Sequence, residues 1–181
     1  MQADEAKGGL FSLEGLRQLL LHMEWADARI WRVALSCDRD RAAERLRSLL
    51  LHLHETQRAF LHVWTNQAVT FHSESDFPGL AELLDWARPY HAEARAFLAS
   101  CDEAQLAQPV VLPWSIQAAD ALDRKIETPT LAETIFQVTS HSTHHRAQAS
   151  AVLRDLGATP ETVDFIVWVW LGKPTAEWPE A

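Results

Sequence analysis

The segment TLAETIFQVTSHSTHHRAQASAVLRDL, Thr130 to Leu156, contains neither glycine nor proline and places three histidines within five residues. Its apolar residues Leu131, Ile135, Val138, Ala149, Val152, Leu153 and Leu156 fall on one side of a helix. With about 100° of rotation per residue, His145 lies roughly 40°, His141 roughly 80° and His144 roughly 140° from the middle of that apolar arc. His141 and His145 therefore border the core, one turn apart on one face, while His144 faces solvent. Two imidazoles at this spacing can grip one metal ion, and a third ligand must come from another part of the chain.

The ends of this segment carry their own signals. Thr130 with Glu133 fits a capping box, and Thr128 followed by Pro129 is an alternative start. Gly157 fits a left-handed cap at the far end. Arg146 lies roughly 60° from the centre of the arc, so its guanidinium requires a buried or interfacial partner.

Working outward, the rest of the chain also reads as helix. Ser12 is the expected N-cap of a first helix to about Ser36, with the stripe Leu13, Leu16, Leu20, Met23, Ile30 and Ala34. Asp27 lies near the middle of that stripe, where a bare carboxylate is costly. It is read either as an ion pair or cap contact within the bundle, or as a partner that supports a metal ligand.

Cys37 to Arg41 is a short polar connection. A second helix, about Arg41 to Thr65, shows the period Leu46, Leu50, Leu53, Phe60 and Trp64. His62 points away from this stripe. His52 and His54 sit on its opposite borders, and periodicity does not choose between them. Gln57 falls near its centre, poised to reach into a polar pocket or to be satisfied by backbone.

Asn66 to Gly79 is a polar loop, and Leu80 to Ser100 a third helix that Pro89 should kink or break. His91, without a neighbour at ligand spacing, is read as structural or exposed. Val110-Val111-Leu112 and Leu122 to Ile126 suggest a small hairpin between the third and fourth helices. Pro160 to Leu171 is a last apolar segment that must pack on the bundle or on another subunit. A single domain over residues 10–172 follows, with residues 1–9 and 173–181 as loose termini.

Composition narrows the function. A formal net charge of −9 argues against nucleic-acid binding and against an anionic membrane surface. No apolar run approaches the ~18 residues of a membrane span. Met1 to Gly9 lacks the apolar core of a signal peptide, and Cys37 and Cys101 lie far apart without metal spacing. Both observations point to a reducing, cytoplasmic setting. Eight tryptophans suit core filling first and pocket lining second.

Several local patterns together resemble the DinB-like family, small helical proteins regarded as metalloenzymes. Trp25-Ala26-Asp27 followed by Ile30 resembles its first-helix Trp-Ala-Asn signature, with Asp for Asn. His141-Ser-Thr-His144-His145-Arg146-Ala147-Gln148, with Leu153-Arg154-Asp-Leu-Gly157 after it, is similar to its fourth-helix His-x-x-His-His-Arg-Gly-Gln motif. Val163-Asp164-Phe165 resembles the aspartate-containing segment that follows.

The resemblance implies an all-α, up-down-down-up four-helix bundle with one metal site, built from one histidine of helix two and two of helix four. It selects His141 and His145. The family's aromatic residue eight positions after the helix-two ligand fits His52 with Phe60, with His54 as the alternative. Zinc or nickel suits such nitrogen ligands. Asp27, Gln57 and Arg146 become candidates for orienting ligands or binding an anionic group.

The implied activity is low-molecular-weight-thiol S-transfer to electrophiles in stress or detoxification, with a small thiol as cosubstrate. Metal-dependent hydrolysis is the second reading, and a non-catalytic ligand- or partner-binding bundle the third. A homodimer acting on a small molecule is the expected assembly.

Overall fold

A computed structural model describes residues 11–37 and 43–180. The expectation of a loose terminus over residues 1–9 lies outside the described residues, as does most of the Cys37 to Arg41 connection. The described residues form the helices α1 (Leu13–Ala34), α2 (Ala43–Trp64), α3 (Leu80–Ala87), α4 (Pro89–Ala99), α5 (Glu103–Leu106), α6 (Ser115–Leu122), α7 (Leu131–Asp155) and α8 (Phe165–Trp170). No helix among them is long and apolar enough to cross a membrane.

Local chemistry sets the ends of the long helices. The Ser12 hydroxyl accepts the Gly15 N–H at 3.1 Å and starts α1. Thr130 and Glu133 form the capping box of α7: the Thr130 N–H reaches Glu133 Oε2 at 2.7 Å, and the Glu133 N–H reaches Thr130 Oγ1 at 3.3 Å. Gly157 follows α7 with φ +81°, and the Ala158 N–H closes on the Leu153 carbonyl at 2.9 Å, which satisfies an end carbonyl that the helix leaves free. Pro89 does break the third helix, standing at the first position of α4 directly after α3.

Four long rods, with α3 and α4 counted as one broken rod, pack as the bundle. Contacts along their lengths fix the directions. Phe11 stacks on Phe136 with ring centroids 4.5 Å apart, and Asp27 bonds Arg146 farther along, so α1 and α7 run parallel. Arg17 reaches the Leu98 carbonyl while Asp27 meets His91, so α4 opposes α1. Trp64 donates to Thr134 and Gln57 to Ser142, so α2 opposes α7. The order is up-down-down-up.

Two apolar clusters make up most of the core of the described residues. One holds Leu16, Leu20, Phe60, Tyr90, Leu98, Ile135 and Val138. The other holds Ile30, Trp31, Leu46, Leu50, Leu83, Leu84, Val152 and Leu153. Between them in sequence on α1, α2 and α7 lie the buried polar residues Asp27, His54, Gln57, Ser142 and Arg146, and buried His91 follows Tyr90 on α4.

The hairpin expected between the third and fourth helices is not formed. Ser115–Leu122, rich in alanine, is instead the short helix α6, which ends at Asp123 in the left-handed region at φ 49°. Pro113 interrupts the run after Val110-Val111-Leu112 and removes a ladder donor. Only an isolated antiparallel bridge remains among the described residues, joining Pro109 to Thr130, with the Val110 N–H on the Pro129 carbonyl at 2.8 Å.

The C-terminal apolar segment packs through Trp168, which is buried against Trp25 and Ala26. Its indole donates to the Pro174 carbonyl at 2.9 Å. Farther on, Trp178 lies against His91 with ring centroids 5.2 Å apart and donates to Glu24 at 3.4 Å.

Candidate metal centre

His52 projects from α2, His141 and His145 from α7. One ring nitrogen from each lies within 4.8 Å of the other two. The ring centroids are separated by 5.2 Å (His52–His141), 4.6 Å (His52–His145) and 4.3 Å (His141–His145). His141 and His145 are half-buried at the core border and His52 is exposed, so the cluster sits at the rim between α2 and α7. His144 is exposed and outside it, in keeping with its place on the helical wheel.

Burial disfavours the charged form of the two α7 rings. Burial lowers the pKa of His141 to about 4, with His145 and His52 adding to the effect. Burial also lowers His145, with His52 again contributing. Neutral imidazoles offer lone pairs at ordinary pH, which a metal requires. His141 Nε2 is buried without any protein partner, as a nitrogen reserved for an ion would be. The donor set fits a divalent transition metal with open positions left for solvent or substrate.

His54, the alternative to His52, points elsewhere. It is buried in the core, where its Nε2 accepts the Trp31 indole N–H at 2.8 Å and its Nδ1 donates to Gln57 Oε1 at 2.7 Å. Gln57 Nε2 in turn donates to Asp27 Oδ2 at 2.8 Å and to Ser142 Oγ at 3.1 Å. Arg146 donates to Asp27 Oδ1 at 2.8 Å and to Thr143 Oγ1 at 2.8 Å. Asp27, Gln57 and Arg146 thus bond to one another, and no hydrogen bond among the described residues joins them to His52, His141 or His145. Of the two readings of Asp27, the structure shows the ion pair.

Asp27, His54 and His91 also bring donor atoms within 4.8 Å of one another. That trio does not fit a metal. Both nitrogens of His54 are engaged, both carboxylate oxygens of Asp27 are bonded, and a cation there would sit beside the Arg146 guanidinium. Burial pushes the Asp27 carboxyl up, but Arg146, with His91 and His54, outweighs it and holds the group below the usual carboxylate range. His91 Nε2 lies 3.3 Å from Asp27 Oδ2, without hydrogen-bond geometry.

A pH dependence follows from His54. Burial lowers its pKa from 6.5 to about 4, although Asp27 raises it in part. Between those values the unfolded chain binds more protons, so stability is fully present above pH 6.5 and is lost as the pH falls toward 4. Denaturant titrations of metal-free protein across that window should show this loss. His54→Gln should make the slope shallower by about one proton, and equal slopes would contradict a buried neutral ring.

A cavity of about 580 Å³ is present but does not open over the clustered histidines. It lies between α1, α7 and residues 161–165, and is lined by His22, Phe136, Thr143, Arg146, Ser150 and Phe165 among others. Its α7 residues face roughly opposite to His141 and His145 on the helix. The histidine cluster and this cavity thus occupy different faces of α7.

A family comparison decides what the bundle is. A model of the DinB family matches residues 12–175. The chain belongs to the DinB family. No curated protein and no solved structure matches it. The DinB match spans α1 to α8, so it takes in both helices that supply the histidines. A possible three-histidine cluster within a DinB chain is consistent with a metal-dependent protein.

One contact in this DinB site escaped the sequence. Gln148 Oε1 accepts from His145 Nδ1 at 2.8 Å, and Gln148 Nε2 donates to His144 Nε2 at 3.0 Å. Spacings of three and four residues were the available signal.

Proposed function

We propose that this protein holds one divalent transition-metal ion, zinc or nickel, on His52, His141 and His145, and activates a low-molecular-weight thiol for S-transfer to an electrophile. The observation that carries the metal reading is a cluster of three imidazoles from two helices, one with a buried, unpartnered nitrogen. Membership of the DinB family supports it.

When bound, a divalent ion would supply Lewis acidity that lowers the pKa of a small thiol, so that it reacts as the thiolate at neutral pH. The chain's part is to hold three imidazole nitrogens together. Among the described residues, no carboxylate joins the cluster to dilute the positive charge. The exposed His52 leaves the outer side open to small molecules. The nucleophile comes from outside: neither Cys37 nor Cys101 joins the histidine cluster, and the buried Cys101 thiol is pushed up by burial with Asp102 adding to it.

Cobalt-loaded protein tests the thiol step. Titration with glutathione, cysteine, bacillithiol and mycothiol should produce, for at least one of them, a saturable near-ultraviolet band from thiolate-to-cobalt charge transfer. An unchanged spectrum with all four contradicts the thiol reading. Thiol-independent ester or amide turnover that His145→Ala abolishes would point to hydrolysis instead.

A further inference from the structure

His145 is the one member of the triad whose ring makes a side-chain hydrogen bond among the described residues. Its Nδ1 lies 2.8 Å from Gln148 Oε1. An amide oxygen only accepts, so this contact is a hydrogen bond only when Nδ1 carries the hydrogen. The opposite end of the amide is engaged as well. Gln148 Nε2 lies 3.0 Å from His144 Nε2, and an amide nitrogen only donates. In this arrangement His144 Nε2 accepts the amide hydrogen, so its own ring hydrogen lies on Nδ1.

We infer that Gln148 is a positioning residue that locks His145 as the Nδ1–H tautomer and so keeps its Nε2 lone pair free for an ion. The consequence for metal binding rests on the proposed function above. The tautomer is a property of the metal-free protein and stands apart from it. The lock is needed because a neutral histidine side chain in water carries its hydrogen mostly on Nε2, the nitrogen that must here be bare. A fixed outer partner of this kind also orients the ring and raises its basicity as a ligand. Gln148 and His144 are both exposed, so substitution there removes no core packing.

Two-bond proton–nitrogen correlation spectra of the metal-free, nitrogen-15-labelled protein, at mildly alkaline pH, read the tautomer of each assigned histidine directly. His145 is expected as Nδ1–H in the wild type, and as a mixture dominated by Nε2–H in Gln148→Leu. It should return to Nδ1–H in Gln148→Glu, whose carboxylate restores the acceptor. Zinc titrations of the same three proteins should show roughly tenfold weaker binding for Gln148→Leu, the lower end of the range for loss of an outer partner. Gln148→Glu should bind at least as tightly as the wild type.

The inference is overturned if wild-type His145 carries its hydrogen on Nε2, or if Gln148→Leu leaves the tautomer unchanged. A tautomer shift with unchanged zinc affinity overturns the claimed consequence for the ligand. A tautomer shift in a protein that binds no zinc in any form supports the lock and contradicts the metal reading.

Discussion

Arg146→Ala should lower the unfolding free energy by about 3–5 kcal/mol, the usual cost of removing one partner from a buried ion pair. Arg146 and Asp27 are each 2% exposed and meet at 2.8 Å, so alanine would strand a carboxylate in the core. Asp27 would keep Gln57 and His91 near it, but neither carries the fixed charge that holds the carboxylate ionised. The deficit should appear as a lower denaturant midpoint with an unchanged slope. Asp27→Leu combined with Arg146→Met should recover a large part of it, because apolar replacement of both partners removes the desolvation cost along with the attraction. A single variant as stable as the wild type would show that the pair is not buried as described.

The largest functional loss should follow removal of a histidine from the triad. His52→Ala, His141→Ala and His145→Ala should each weaken metal binding by more than the roughly 10–100-fold that loss of an outer partner costs. His52 is exposed, so its replacement separates ligand loss from misfolding most cleanly. His54→Gln should change stability and leave metal affinity near that of the wild type, because both His54 nitrogens are engaged within the core. Thermal unfolding with zinc reads the same contrast. An ion at a hundred times its dissociation constant stabilises the folded state by about 2.7 kcal/mol, which the wild type and His54→Gln should show and the triad variants should not. Equal stabilisation of all of them would place the ion elsewhere.

Much of this was legible in the sequence because it is set by local rules. The helical wheel separated His141 and His145 from His144, since angular position on a helix depends on spacing alone. Ser12, the Thr130–Glu133 box, Pro89 and Gly157 marked their boundaries through capping and proline chemistry that operates within a few residues. Asp27, Gln57 and Arg146 could each be flagged as polar groups in need of partners. That they are partners of one another could not be read, because the Asp27–Arg146 pair spans 119 positions and exists only once the helices pack.

The same limit left His52 and His54 unresolved. Both border one apolar stripe, and only packing sets His54 against the Trp31 indole of α1 and leaves His52 facing α7. The expected hairpin failed for the opposite reason. The β-branched pair Val110-Val111 gave a local signal, while Pro113 and the alanines of α6 weighed more in the folded chain.

The most direct test of the central claim is an anomalous-scattering map from crystals of zinc-loaded protein, collected on both sides of the zinc absorption edge. One peak is predicted between α2 and α7, bonded to nitrogens of His52, His141 and His145 at about 2.0–2.1 Å, with solvent completing the coordination. A peak bonded to Asp27, His54 and His91, or no peak near the three rim histidines, would contradict the account.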